Sequence, residues 1–204
     1  MEGCAPIFRH AACSVYGDGD PDAVEQARTA VGIDAVEIDA DASTVRFVHP
    51  GVSLDVGSAG RGYAMDVVIE MLRDRGITSA RLCTGATSAH VIGVPPGETA
   101  WTMDWVAPRE STADSRVLRL VDQAVSLSGR HGSAPNAMDR PDVQVLDPRT
   151  GDAVAHTVVA GVIGPSSFLC DMLSTALLVA GAPWLETLAA RFPDYTGWVA
   201  GPRT

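Results

Sequence analysis

The spacing of apolar positions changes several times along the chain, and each change marks an element. Ala35 to Asp39 and Thr44 to Val48 are short strand-like runs around Asp39-Ala40-Asp41-Ala42, the pattern of a hairpin. Val52 to Val56 reads as a strand feeding the glycine-dense turn Gly57-Ser58-Ala59-Gly60-Arg61-Gly62. From Tyr63 to Arg75 the period lengthens. Ala64, Val67, Val68, Met71 and Leu72 form a helical stripe, closed by Gly76 in a C-cap position. Ala80 to Thr84 and Ala89 to Ile92 read as buried strands, followed by strands at Trp101 to Val106, Val117 to Val121 and Ala124 to Leu127. Arg130 to Asp142, rich in Gly, Pro, Asn and Asp, interrupts the pattern as a loop. Val143 to Leu146 is a strand stopped by the turn Asp147-Pro148-Arg149-Thr150-Gly151. A β-branched strand at Thr157 to Ile163, helices at Ser167 to Ala180 and Pro183 to Arg191, and a strand at Thr196 to Ala200 complete the order. Upstream, Pro21 to Val31 reads as a short helix with Asp22 and Glu25 near its positive end. Hairpins and helices intermix, so the fold class is α+β rather than a regular βαβ array.

Composition narrows the partners. A chain of 204 residues, 46% hydrophobic and 20% charged, can bury a real core. Its formal charge is 15 − 25 = −10, without an Arg cluster, which argues against nucleic acid or an anionic membrane as partner. An anionic ligand must therefore be held locally, by arginine, backbone amides or a metal. Cys4, Cys13, Cys83 and Cys170 are scattered, with no CxxC. Cys83 and Cys170 lie in apolar runs and are expected as buried thiols, which fits a reducing, cytoplasmic compartment. Met1-Glu2-Gly3-Cys4 has neither the basic nor the apolar region of a signal peptide, and no apolar run is long enough to span a bilayer. His10, His49, His90, His131 and His156 show no metal spacing with each other or with cysteine, so zinc is not expected.

Two segments carry candidate chemistry. The small residues from Gly57 to Gly62 let backbone approach a ligand closely, and Arg61 among them suits a phosphate. Far downstream, Asp171 and Thr175 stand four apart on a predicted helix and share a face. A carboxylate plus a hydroxyl is a hard-oxygen pair suited to Mg²⁺ or Ca²⁺. The plain alternatives are a carboxylate near a helix N-terminus, a core threonine and a surface arginine, and spacing alone leaves them open. The segment from Asp147 to Gly151 is first of all a turn, with Arg149 its one member considered for ligand contact.

Taken in order, four blocks resemble the FAD:protein FMN transferases, the ApbE family. They are Asp55-Val56-Gly57 through Arg61-Gly62-Tyr63-Ala64-Met65-Asp66, then Ser128-Gly129, then Leu146-Asp147-Pro148-Arg149-Thr150-Gly151, then Asp171-Met172-Leu173-Ser174-Thr175-Ala176. The resemblance covers roughly residues 45 to 200. It implies one T-fold-like α+β domain over residues 1–204, with the N-terminal part of the family fold missing. It also implies Mg²⁺-dependent transfer of FMN from FAD to a threonine of an acceptor flavoprotein carrying a Ser/Thr-Gly-Ala-Thr-type site, with release of AMP. By position, the metal ligands are the Ser58 carbonyl, Asp171 and the Thr175 hydroxyl. Asp55, Arg61 and Leu146 fall on FAD-contacting positions, and Asp171 and Arg61 carry the catalytic step.

The chain departs from the family pattern at several points. Gln144 stands where the family has a histidine, and it cannot serve as a general base near neutral pH. His131 in the predicted loop is a substitute base. Leu127 replaces a threonine, and Gly85-Ala86-Thr87 replaces Gly-Gly-Asp. Gly3-Cys4-Ala5-Pro6 lies where a Gly-Ala-Phe-Asp motif is expected. Part of the FAD pocket is then either absent or supplied by another subunit of a homo-oligomer. Two rival activities stay open: a paralogue that holds flavin or a partner without turnover, and an FAD hydrolase giving FMN and AMP. Thr84-Gly85-Ala86-Thr87 resembles the acceptor signature itself, and a small-residue strand end is preferred there over self-flavinylation at Thr87.

Overall fold

A computed structural model describes residues 32–52, 54, 56–107, 111–112, 114–129, 145, 147–150 and 152–202. Its centre is a five-stranded antiparallel sheet in the order β3-β4-β7-β8-β9. These strands are Ala80–Thr84, Ser88–Ile92, Ala124–Gly129, Val159–Gly164 and Thr196–Ala200. Two small hairpins accompany it: β1 (Val36–Asp39) with β2 (Thr44–Phe47), and β5 (Trp101–Trp105) with β6 (Arg116–Leu120). Helix α1 is Gly60–Asp74, α2 is Ser167–Ala180 and α3 is Leu185–Arg191. The α+β class expected from the sequence is what the structure shows.

Alternation along the strands sorts side chains onto two faces. Ala89, Val91, Val125, Leu127 and Val159 point to one side and pack with Trp105, Leu118 and Leu120 of the β5–β6 hairpin. Ala124, Ala160 and Val162 point to the other and pack beneath Cys170, Leu173, Leu177 and Leu178 of α2. The molecule is thus layered as hairpin, sheet and helices, with α2 over the centre of the sheet and α1 beside it, reaching β3 and β4. Gly161 and Gly164 of β8 leave no room for a side chain, because a Cβ at either would collide with the Trp198 or Tyr195 ring.

Helix ends follow local chemistry. Gly76, at φ +77°, closes α1 with a Schellman pair, its N–H donating to the Arg73 carbonyl and that of Ile77 to Leu72. The Ser166 hydroxyl caps α2 by accepting from the Leu169 N–H at 3.2 Å.

Four expectations need correction. The described residues of the stretch from Val52 to Val56, namely 52, 54 and 56, lie outside any strand. Strand β3 is only half-buried, because it is an edge strand, and Cys83 on it is exposed, while Cys170 is buried as expected. The Pro183 to Arg191 helix is split into a 3₁₀ turn at Ala182–Trp184 and the shorter α3. On α1 the predicted apolar stripe is not the buried one. Gly62, Met65 and Ile69 are buried, while Val67 and Val68 are 38% exposed and Met71 46%. The rotation of α1 is set instead by what Gly62 and Asp66 do at α2. The Pro21 to Val31 helix, the Arg130 to Asp142 loop and most of the Val143 to Leu146 strand lie outside the described residues.

Candidate active site

The site is built where α1 crosses α2 above the neighbouring strands β4 and β7 of the sheet. Gly62 makes the crossing possible: a Cβ there would run into the Ser167 carbonyl and lie 2.8 Å from Phe168 Cα. Two carboxylates then tie the helices together reciprocally. Asp171 of α2 accepts from the Gly62 N–H of α1 at 2.8 Å. Asp66 of α1 accepts from the Ser167 and Phe168 N–H groups at 2.7 and 3.0 Å, and from the Ser166 hydroxyl at 2.7 Å. Each carboxylate sits at the positive end of the other helix, where orphan N–H groups need acceptors. Burial pushes the Asp66 carboxyl up, but these hydrogen bonds outweigh it and hold the group below its ordinary range.

Alternation places polar side chains on the sheet face beneath α2: Ser88 and His90 from β4, Ser126 and Ser128 from β7. Ser88 and Ser126 are paired across the strands. The Ser126 hydroxyl donates to Asp171 Oδ1 at 2.5 Å, and that of Ser88 reaches the same oxygen at 3.3 Å. One turn along α2, the Thr175 hydroxyl donates to the Asp171 carbonyl at 3.1 Å, and Ser128 lies 3.1 Å from it. His90 is buried, with Nδ1 2.7 Å from Ser167 Oγ and 3.2 Å from Asp66 Oδ1. Burial pushes its pKa down, and Arg73 adds to this, against the opposing pull of Asp66. Nδ1 thus faces both the Asp66 carboxylate and the Ser167 hydroxyl, and Nε2 is buried with no partner among the described residues.

Asp171 is only 3% exposed, yet among the described residues no Arg or His pairs with it. Buried charges are normally paired or bound to metal. The donor set fits a hard divalent cation: the Asp171 carboxylate, the lone pairs left on Thr175 Oγ1, and the half-buried turn at Ser58 leading into α1. Among the described residues no three His, Cys, Asp or Glu side chains gather, so such a cation depends on hydroxyl and carbonyl oxygens beside one carboxylate.

Arg61, the second residue of α1, is exposed at the mouth of the turn. Arg149 is exposed too, but its guanidinium is clasped by Asp147, Nε to Oδ1 at 2.9 Å and Nη2 to Oδ2 at 2.6 Å, which holds the Asp147 carboxyl below its usual range. That clasp holds the turn at residues 147–150 closed. Asp55, Leu146, His131 and Gln144 lie outside the described residues. The structure therefore joins Asp171, Thr175 and the glycine turn, and sets Arg149 in a turn of its own.

Sequence reasoning missed Asp66, His90, Ser88 and Ser126. The signal was present: Ser88-Ala89-His90 and Ser126-Leu127-Ser128 put polar residues at alternate positions in otherwise apolar strands, marking a polar stripe on a buried face.

A family model for the ApbE family matches residues 9–197. The chain belongs to the ApbE family. Among curated ApbE relatives, the FAD:protein FMN transferase of Rhodobacter capsulatus is 30% identical over 152 residues, 73% of this chain and 28% of that protein. The enzyme of the same name from Treponema pallidum is 28% identical over 193 residues, 85% of this chain and 52% of that protein. This chain thus spans about half or less of the length of these two relatives. The apo Pseudomonas stutzeri flavinyl transferase ApbE superimposes with a TM-score of 0.77 at 23% identity, covering 99% of this chain and 65% of that one. The Thermotoga maritima ApbE protein gives 0.75 at 21% identity, covering 95% and 66%. At these identities the likeness is one of ApbE fold. No described helix is long and apolar enough to cross a membrane.

Proposed function

We propose that this chain catalyses Mg²⁺-dependent transfer of FMN from FAD to a threonine hydroxyl of an acceptor protein in the cytoplasm, releasing AMP. The observation that carries the reading is Asp171: a buried carboxylate, lacking a described cationic partner, that joins a glycine turn to a hydroxyl-lined helix in a chain of the ApbE family. Asp171, the Thr175 hydroxyl and the Ser58 carbonyl would hold the cation. Bound there, Mg²⁺ supplies neutralisation of the charge on the pyrophosphate and on the AMP leaving group. Arg61, exposed on the first turn of α1, pairs its guanidinium fork with phosphate. Gly57 to Gly62 let the pyrophosphate approach backbone closely, and Asp55 and Leu146 contact FAD. The acceptor oxygen bonds to the FMN phosphorus as the bond from that phosphorus to the bridging oxygen breaks. AMP leaves with the bridging oxygen, and His131 is the candidate to take the hydroxyl proton.

The test is AMP release from FAD with and without Mg²⁺, by chromatography, for the wild type, Asp171→Asn and Thr175→Val. Thr175→Val keeps the shape of the side chain and deletes only the hydroxyl. Both variants are expected to lose Mg²⁺-dependent release, and unchanged release in either would remove that residue from the site. Gln144, at the position of the family histidine, favours a second reading in which the chain holds flavin without turnover. FAD binding with no AMP in the presence of an acceptor protein would establish that reading. FMN and AMP formed without any acceptor would establish hydrolysis instead.

A further inference from the structure

The two oxygens of Asp171 are not equivalent. Oδ1 faces two hydroxyl groups: Ser126 donates to it at 2.5 Å, and Ser88 lies 3.3 Å from both Oδ1 and Ser126 Oγ, so this oxygen is turned into a small serine cluster. Oδ2 takes one backbone N–H, from Gly62 at 2.8 Å, and keeps a lone pair. The serines are cross-strand neighbours on β4 and β7, both buried on the face beneath α2. Hydroxyls so placed are costly to bury unless they hold something.

We infer that Ser126 and Ser88 are positioning residues that set metal preference: by occupying Oδ1 they leave Asp171 able to offer a cation one oxygen only. The inference rests on the cation site of the proposed function and goes beyond it. Mg²⁺ demands a compact octahedral shell and suits a carboxylate that binds through one oxygen. Ca²⁺ accepts six to eight ligands and takes both oxygens readily. Deleting the Ser126 hydroxyl returns a lone pair to Oδ1 and opens the carboxylate to two-oxygen binding. The 2.5 Å contact to Ser126 is the short, charge-assisted one, so Ser126 dominates and Ser88 contributes less.

The experiment is calorimetric titration of the full chain with Mg²⁺ alone and with Ca²⁺ alone, without FAD, for the wild type, Ser126→Ala, Ser126→Thr and Ser88→Ala. The wild type is expected to favour Mg²⁺. In Ser126→Ala that preference should fall by about tenfold, in line with other residues that orient metal ligands. Ser126→Thr, which keeps the hydroxyl, should restore it, and Ser88→Ala should shift it the same way by less. Should Ser126→Ala fail to fold, the Ser88→Ala shift decides the matter. A wild-type preference unchanged in the serine variants would overturn the inference while leaving the cation site standing. A wild type that binds neither metal would remove the cation site, and the inference with it.

Discussion

Helices α1 and α2 are nearly equal in length and lie against each other, yet they are held in different ways. Along α2 the buried residues run around most of the circumference, from Cys170 and Leu173 over the sheet to Asp171 and Ser174 toward the site. Along α1 burial is confined to one line, Gly62, Met65 and Ile69, with Asp66 between them, while Tyr63 is 62% exposed and Val67, Val68 and Met71 face outward. Apolar content suffices to enclose α2, whose buried residues lie on nearly every side. It does not fix α1. There a glycine contact and a carboxylate, four residues apart, turn the helix so that its richest apolar stripe is left outside. A hydrophobic pattern therefore locates a helix well and orients it poorly when polar capping competes.

The sharpest test of that contrast is Gly62→Ala, whose methyl would meet backbone of α2 that cannot move aside. A loss of about 3 kcal/mol is expected from overpacking of this kind, read from denaturant midpoints. A near-neutral Gly62→Ala would mean the crossing is looser than described. Next comes Asp66→Asn, which weakens three hydrogen bonds at the start of α2. About 2 kcal/mol should be lost, since backbone donors are left poorly satisfied. If Asp66→Asn cost no more than a surface change, α1 would have to be oriented by something else.

The third expectation concerns pH. The folded pKa of His90 lies below its unfolded value near 6.5. As pH falls through that region the unfolded chain takes up the proton first, so the His90 contribution is complete above about pH 6.5 and is lost progressively below it. Melting temperatures at pH 7.5 and 5.5 should differ more for the wild type than for His90→Gln. Equal differences would separate His90 from the Asp66 tie between α1 and α2. Smallest of all, Met71→Gln on the outer face of α1 should change stability by only about 0.5 kcal/mol, as for other surface sites. A cost of several times that would show that the outer face is covered after all.

Much of the fold was legible from the residues. Helix α2 and strand β9 fall where the pattern placed them, because continuous apolar runs with clear stops leave little choice of boundary. Gly76 ends α1 as its position implied. The site was legible in part. Asp171 and Thr175 could be seen as a pair because both lie on one helix, within reach of a spacing argument. Their serine partners could not, since Ser88 and Ser126 reach Asp171 only through strand pairing and chain separations of 83 and 45 residues. Asp66 was visible inside the motif, but its work is done on α2, about 100 residues away. Rotation of α1 escaped for the same reason: the deciding contacts are tertiary.

The bond between Gly62 and Asp171 closes a span of 109 residues. Closing so long a loop adds little entropy cost beyond that of a shorter one, but pairings of high sequence separation form late. During synthesis the glycine turn emerges well before the carboxylate that completes it. A chain interrupted anywhere before α2 would carry the turn and Arg61 with nothing to complete them. The glycine turn and Asp171 are therefore joined only once α2 is in place.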